Sequence, residues 1–109
     1  MISATLRTFG IRLAVAAFLT SHPGIARAAE TKVTIDNFTF APAELKVKVG
    51  DTVTWSNHDD IPHTVVSAGK FRSKAMDTDG TFSFTFTAAS EYKYFCSLHP
   101  HMTGTIKVE

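Results

Sequence analysis

The sequence predicts an all-β protein built as a single Greek-key antiparallel β-sandwich. Apolar and polar residues alternate in short runs along residues 31–108, and a period of two is typical of strands that bury one face. Turn-forming Gly, Pro, Asn and Asp residues separate these runs at regular intervals. Six to eight short strands spaced in this way favour a sandwich of two sheets.

Three strands are predicted in the first half of this region. Residues 31–40 form the first, and residues 45–49 form the second, with Val49 on its buried face. A Gly-Asp turn follows, and residues 52–56 then form a third strand that places Trp55 on the buried side.

The second half is regular except for one stretch. Residues 69–80 show no periodicity, so they indicate a loop or a short helix, with Phe71 and Met76 packed on the core. Tyr92 resembles the corner tyrosine of Greek-key sandwiches, whose hydroxyl holds down a loop. Further strands are predicted at residues 63–66, 81–87, 92–96 and 105–108.

Residues 1–28 have the features of a cleavable export signal. Two arginines begin the segment, an apolar run covers residues 13–19, and a small-residue A-x-A pattern ends at Ala28. The apolar run is too short to span a bilayer permanently, so no membrane span is expected in the mature chain. An amphipathic helix of the mature protein is the weaker alternative, because it leaves the cleavage pattern unexplained. We therefore expect a signal peptide at residues 1–28, a mature domain at residues 29–109 and export to a bacterial periplasm.

The composition of residues 29–109 argues against nucleic-acid binding and in favour of a metal on the lone cysteine. Without the three arginines of the signal, eight basic residues face ten acidic ones, a net charge of −2 that does not favour nucleic acid as a partner. A domain of this size has a marginal core, and its one cysteine, Cys96, cannot close an intramolecular disulfide. A metal on this thiolate would protect it in an oxidising compartment and stabilise the fold. We expect a monomer.

The segment from Cys96 to Met102 concentrates ligands for a soft metal. It places a thiol, an imidazole and a thioether at intervals of three residues, where a strand pattern gives way to a loop. His63, which follows a proline and opens an apolar run, adds a second imidazole. A Cys-His-His set with a weak axial Met is the ligand set of blue-copper sites. The pattern therefore predicts one copper ion bound by His63, Cys96, His99 and Met102.

Other interpretations of these residues are weaker. Zinc is the nearest rival metal, but Met is a poor zinc ligand. A catalytic Cys-His pair would need an oxyanion-stabilising glycine loop, and none is apparent near Cys96. Each residue alone would be explained by burial or by solvent exposure, so it is their joint spacing that indicates a metal. His58 lies in a polar turn and His101 lies between Pro100 and Met102, and we expect neither to be a ligand.

The distant His followed by Cys-x2-His-x2-Met resembles the cupredoxins. The short gap before Met102 and the proline at Pro100 are most similar to the amicyanins among them, and the run KVGDTVTW at residues 48–55 is also similar to small cupredoxins. The resemblance covers residues 31–109. It implies the cupredoxin fold and a type 1 copper site in a protein that is not an enzyme. It also implies redox proteins as partners, with methylamine dehydrogenase or another dehydrogenase as electron donor and a c-type cytochrome as acceptor.

In that family the C-terminal His ligand reaches the surface through an apolar patch and passes the electron. The resemblance assigns this role to His99, with Leu98 and Pro100 in the patch and His101 as an exposed neighbour. A rigid site in which copper changes between Cu(I) and Cu(II) favours an electron carrier. The rival is a protein that buffers or delivers copper, which a second, weaker site at His58 and His101 would support. A purely structural domain would show no dependence of its stability on metal.

Three departures from the family pattern carry expectations. Thr64 stands where the family commonly has an Asn that ties the ligand loops, which predicts a looser site. Leu98 stands where the family often has Pro, so its amide N–H is expected to donate to the Cys96 sulfur. The segment that precedes the first common strand in amicyanins is missing, and we expect one sheet edge to be more open.

Overall fold

Nine strands make up residues 28–109, the part of the chain that the computed structural model describes. The predicted signal peptide at residues 1–28 lies outside this part except for its last residue. The strands, in chain order, are β1 Glu30–Asp36, β2 Thr39–Ala41, β3 Glu44–Val47, β4 Thr52–Asn57, β5 Val66–Ser67, β6 Phe71–Arg72, β7 Thr81–Thr85, β8 Ser90–Phe95 and β9 Thr103–Val108.

The strands form two sheets, of four strands in the order β2-β1-β4-β7 and of five in the order β3-β9-β8-β5-β6. Most neighbours are antiparallel, but β1 runs parallel to β4 and β3 runs parallel to β9. The all-β sandwich is therefore confirmed, while the sheets are mixed and not antiparallel throughout.

The parallel pairs follow from how the chain changes sheets. After the β1–β2 hairpin the chain crosses to the second sheet at β3, and it returns to the first at β4 in the direction of β1. Alternation with a period of two is the same whichever way a neighbour runs. The sequence pattern alone therefore could not separate parallel from antiparallel pairing.

The core between the sheets is rich in aromatic rings. Val53 and Trp55 of β4 are fully buried, as the alternation predicts. Trp55 meets Tyr94 of β8 edge to face, with ring centroids 5.4 Å apart. The Tyr92 hydroxyl donates to the carbonyl of Ala88 at 2.8 Å, which confirms the corner tyrosine.

The strand predicted at residues 31–40 is wrong, because a hairpin turn interrupts it. β1 and β2 pair antiparallel and are joined by Asn37 and Phe38 alone. Both turn residues have positive φ, 53° and 58°, as a two-residue type I′ turn requires. Such turns favour Asn-Gly, and a Phe at the second position carries no turn signal in the sequence.

The burial predicted for Val49 is wrong, and the irregular stretch at residues 69–80 contains a short strand. Val49 is 49% exposed and not buried, because β3 ends two residues earlier and the chain turns through Gly50 at a φ of 99°. Residues 69–80 contain β6 and loops and no helix, although Phe71 and Met76 are buried as expected. No helix among residues 28–109 is long and apolar enough to cross a membrane.

The pairing of β5 with β8 brings the predicted ligands to one end of the sandwich. Val66 of β5 lies opposite Phe95 of β8. His63 precedes β5 by three residues, and Cys96 directly follows β8. Since the two strands are hydrogen-bonded neighbours, the loop before one and the loop after the other meet.

Candidate metal centre

Backbone hydrogen bonds shape the loop between β8 and β9. The amide of His99 donates to the carbonyl of Cys96 at 3.2 Å, and the amide of Met102 donates to the carbonyl of His99 at 2.9 Å. The amide of Cys96 closes the loop by donating to the carbonyl of Met102 at 3.1 Å. Two successive four-residue turns, each closed by a hydrogen bond from residue i+3 to residue i, therefore account for the x2 spacing of the ligands.

A different loop holds His63 in the interior. Its backbone forms an isolated antiparallel bridge with Met76, with N···O distances of 3.2 and 2.8 Å. The buried Asn57 side chain donates from Nδ2 to the carbonyls of Ile61 and Met76, at 3.0 and 2.9 Å. Asn57 therefore organises the loop that carries His63, a role that the sequence analysis did not find.

The structure brings His63, Cys96 and His99 together. Nδ1 of each histidine lies 3.7 Å from the Cys96 sulfur, and the donor atoms of all three lie within 4.8 Å of one another. An ion bound trigonally, about 2.3 Å from sulfur and about 2.0 Å from nitrogen, would separate the sulfur from each nitrogen by about 3.7 Å. The residues therefore fit one metal ion. Within residues 28–109 they are the only group of three or more His, Cys or acidic donors so placed.

Met102 adds a thioether to the loop. It is 5% exposed, and its backbone is hydrogen-bonded to both Cys96 and His99. A thioether beside a thiolate and two imidazoles makes the donor set soft, which suits copper better than zinc.

The surroundings of Cys96 favour ionisation of its thiol. Burial by itself raises its pKa, but hydrogen bonds from the Thr64 amide, from the rings of His63 and His99 and from the Thr64 hydroxyl outweigh burial and lower the pKa to about 6. The amide lies 3.3 Å from the sulfur and the hydroxyl lies 3.7 Å from it. At neutral pH the sulfur is therefore mainly the thiolate, the form that binds metals.

Thr64 joins the two loops, so the looser site expected from this residue is not what the structure shows. Its Oγ1 accepts a hydrogen bond from the amide of Ser97 at 2.7 Å and lies 2.8 Å from the Ser97 hydroxyl. The Thr64 amide meanwhile donates to Cys96. One residue thus binds the sulfur and the neighbouring loop.

The expected bond from Leu98 to the sulfur is wrong. The described residues show a donation to the Cys96 sulfur from the Thr64 amide and none from the Leu98 amide. Leu98 is instead a central residue of the turn that is closed by the hydrogen bond from the His99 amide to the Cys96 carbonyl.

The other residues predicted for the surface beside the site are exposed. Leu98 is 51% exposed, and Pro100 and His101 are exposed beside the half-buried His99. His58 is also exposed, and neither His58 nor His101 belongs to the three-donor group.

Two residues that sequence reasoning did not single out contact the histidines. Oδ2 of Asp59 lies 2.8 Å from Nε2 of His63. The Phe38 ring stands edge-on to the rings of both His63 and His99, with centroids 5.3 and 5.1 Å apart. The Phe38 amide, more than any other group, holds the pKa of Asp59 below its usual range. No spacing pattern points to either contact, because both depend on loops that are distant or irregular in sequence.

The family model for the copper-binding proteins of the plastocyanin/azurin family matches residues 27–109. The chain belongs to this family. Membership confirms the cupredoxin resemblance of the sequence, and it makes one copper ion the cofactor of the cluster described above.

Relatives of this cupredoxin include bacterial amicyanins. It is 39% identical to amicyanin of Paracoccus denitrificans over 83 residues, which cover 71% of this chain and 63% of that protein. It is 33% identical to amicyanin-alpha of Methylorubrum extorquens over 113 residues, which cover 98% of this chain and 95% of that protein. The match thus spans less than two thirds of the Paracoccus protein and nearly all of the Methylorubrum one.

Solved cupredoxin structures superpose on the fold. An amicyanin variant in its Cu(I) form matches with a TM-score of 0.70 at 37% identity, covering 79% of this chain and 87% of that one. A purple cupredoxin from Nitrosopumilus maritimus also gives 0.70, at 31% identity, covering 72% of this chain and 99% of that one. These likenesses confirm the cupredoxin fold.

Proposed function

We propose that this cupredoxin is a periplasmic type 1 copper protein that carries single electrons between redox partners. The observation that carries the proposal is a buried, readily ionised thiol with two imidazole nitrogens 3.7 Å away. The proposed ligands of the one copper ion are His63, Cys96, His99 and Met102.

The copper ion, when bound, supplies the redox chemistry by changing between Cu(I) and Cu(II). The residues of the chain hold the donors in place while the charge changes. Cys96 and His63 are fully buried, which keeps water from them, and Thr64 links the two loops on which they lie. A set of four protein donors leaves no position for a substrate, which favours a carrier over an enzyme.

His99 is the proposed point at which the electron enters and leaves. It is half-buried where the other histidine is fully buried, and the exposed side chains of Leu98 and Pro100 flank it. An apolar rim of this kind suits brief contact with a redox protein. The likeness to amicyanins supports methylamine dehydrogenase or another dehydrogenase as donor and a c-type cytochrome as acceptor.

The proposed periplasmic location is supported by the export features of residues 1–28 and by a lone cysteine that a metal would protect. Copper delivery, the rival function, receives no support from the described residues. His58 and His101 are exposed, and neither belongs to a group of three or more donors among residues 28–109.

The decisive experiment replaces Cys96 by Ser, which keeps the volume and removes the thiolate. We expect the copper-loaded protein to show a strong thiolate-to-copper absorption band and a reversible one-electron couple, and the variant to fold but lack both. His101→Phe is the matched control in the same loop and should keep the band. A band that survives Cys96→Ser would overturn the ligand set, and a pale cupric protein without a reversible couple would favour copper delivery.

A further inference from the structure

A single carboxylate contacts both the buried histidine and the turn that covers it. We propose that Asp59 is a positioning residue that holds the His63 imidazole, and the Phe38 ring packed on both histidines, in the arrangement that binds copper. This inference rests on the ligand set proposed above and adds two residues to the machinery of the site.

Three N–H groups converge on Asp59. Oδ1 accepts a hydrogen bond from the amide of Asn37 at 2.6 Å, and Oδ2 accepts one from the amide of Phe38 at 2.9 Å. Oδ2 also pairs with Nε2 of His63 at 2.8 Å. The Asp59 side chain is only 12% exposed and that of His63 is not exposed, so water competes little for the contact between them.

The contact shows that Nε2 of His63 carries a proton. An ionised carboxylate only accepts hydrogen bonds, so the ring nitrogen beside it must be a donor. Nδ1, which lies 3.7 Å from the Cys96 sulfur, is then the ring nitrogen left to bind a metal. Carboxylates that hold the outer nitrogen of a metal-binding histidine set its tautomer and orientation in this way.

The same carboxylate stabilises an uncommon turn. Asn37 and Phe38 both have positive φ, a region that a bulky residue such as Phe rarely occupies. The amides of both residues donate to the Asp59 carboxylate, and these hydrogen bonds offset the cost of the positive-φ backbone. In this conformation the half-exposed Phe38 ring stands edge-on to His63 and His99, at interplanar angles of 85° and 88°.

An amide side chain cannot replace this carboxylate. Asparagine has one acceptor oxygen and one NH2 donor group. If its oxygen takes the place of Oδ2, the NH2 group meets the Asn37 amide, which is also a donor. If its oxygen takes the place of Oδ1, the NH2 group meets the Phe38 amide and Nε2 of His63, and the Nε2 proton has no acceptor. Either arrangement breaks at least one of the three hydrogen bonds that Asp59 accepts.

The experiment compares Asp59→Asn with Asp60→Asn. Asp60 is exposed and adjacent, so its replacement removes the same charge without the contacts. We expect nitrogen NMR of the metal-free protein to show a proton on Nε2 of His63 in the unaltered protein and in Asp60→Asn. In Asp59→Asn we expect this proton, or the proton contacts between the Phe38 and histidine rings, to be lost. Copper affinity, measured by chelator competition, should fall about 10–100-fold in Asp59→Asn, and Asp59→Glu should recover part of it.

Several results would overturn the inference. One is an Asp59→Asn protein in which the Nε2 proton, the ring contacts and the copper affinity are all unchanged. Another is an equal loss of affinity in Asp60→Asn, which would reduce the effect to charge. Should Asp59→Asn not fold, the unaltered protein still decides, because an Nε2 of His63 that carries no proton contradicts the role. An unaltered protein that binds no copper would refute the proposed function, while the protonation of Nε2 would still report on Asp59.

Discussion

Thr64 illustrates how single residues control this site. Its amide donates to the Cys96 sulfur, and its hydroxyl oxygen accepts from the Ser97 amide. The first bond favours the thiolate, and the second fixes the distance between the two ligand loops. A valine would keep the branched shape and the amide while removing only the hydroxyl.

We therefore expect Thr64→Val to lower the free energy of unfolding of the metal-free protein by about 1–3 kcal/mol, because the Ser97 amide loses its acceptor. Urea unfolding measures the difference. The matched control is Thr54→Val, which removes a hydroxyl pair with Ser83 at the exposed face of the first sheet and should cost less than about 0.5 kcal/mol. Equal losses in the two variants would mean that the loop contact contributes nothing of its own.

At the scale of elements, the turn between β3 and β4 depends on Asp51. Oδ1 accepts from the backbone nitrogen of Ala29 and Oδ2 accepts from the Lys48 amide, each at 2.9 Å. These bonds, that of Ala29 first, hold the pKa of Asp51 below its ordinary value. Asp51 thus joins the start of β1 to the β3–β4 turn.

The depressed pKa sets the pH dependence of this contribution. A carboxyl whose folded-state pKa lies below its unfolded value stabilises the fold fully above the unfolded pKa, near pH 4, and loses that contribution as the pH falls through the folded pKa. We expect Asp51→Asn to be less stable than the unaltered protein at pH 7 and to show a shallower loss of stability below about pH 4. Unfolding curves from pH 7 to pH 2 measure this. Exposed Asp77→Asn is the control, and parallel curves for Asp51→Asn and the unaltered protein would contradict the assignment.

At the scale of the whole molecule, copper should act as a cross-link between two loops. Its proposed ligands come from the loop before β5 and from the loop after β8, and an ion that binds only the folded state stabilises it by mass action. We expect thermal unfolding to move to higher temperature with copper, equivalent to about 2.7 kcal/mol at a free concentration 100 times the Kd. A chelator should reverse the shift, and Cys96→Ser should lack it. The same midpoint with and without copper would support a purely structural domain.

Much of the site and part of the fold could be predicted from local patterns. The ligand loop from Cys96 to Met102 is seven residues long, so its x2 spacing directly fixes two successive turns. The buried face of β4 follows from strict alternation for the same reason. The turn at Asn37 and Phe38 could not be predicted in this way, because an aromatic residue at positive φ is held there by Asp59, more than twenty residues away in the chain.

The sequence by itself determined the β class, the core alternation and the soft donor set around Cys96, because each depends on residues close together in the chain. Only the tertiary structure decided the parallel pairing of β1 with β4, the Thr64 donor to the sulfur and the place of Asp59 behind His63. These depend on where the chain crosses between sheets and on how loops from different strands meet. Hydrogen bonds between distant loops leave no periodic trace in a sequence, so the groups that orient the ligands became visible only in the folded chain.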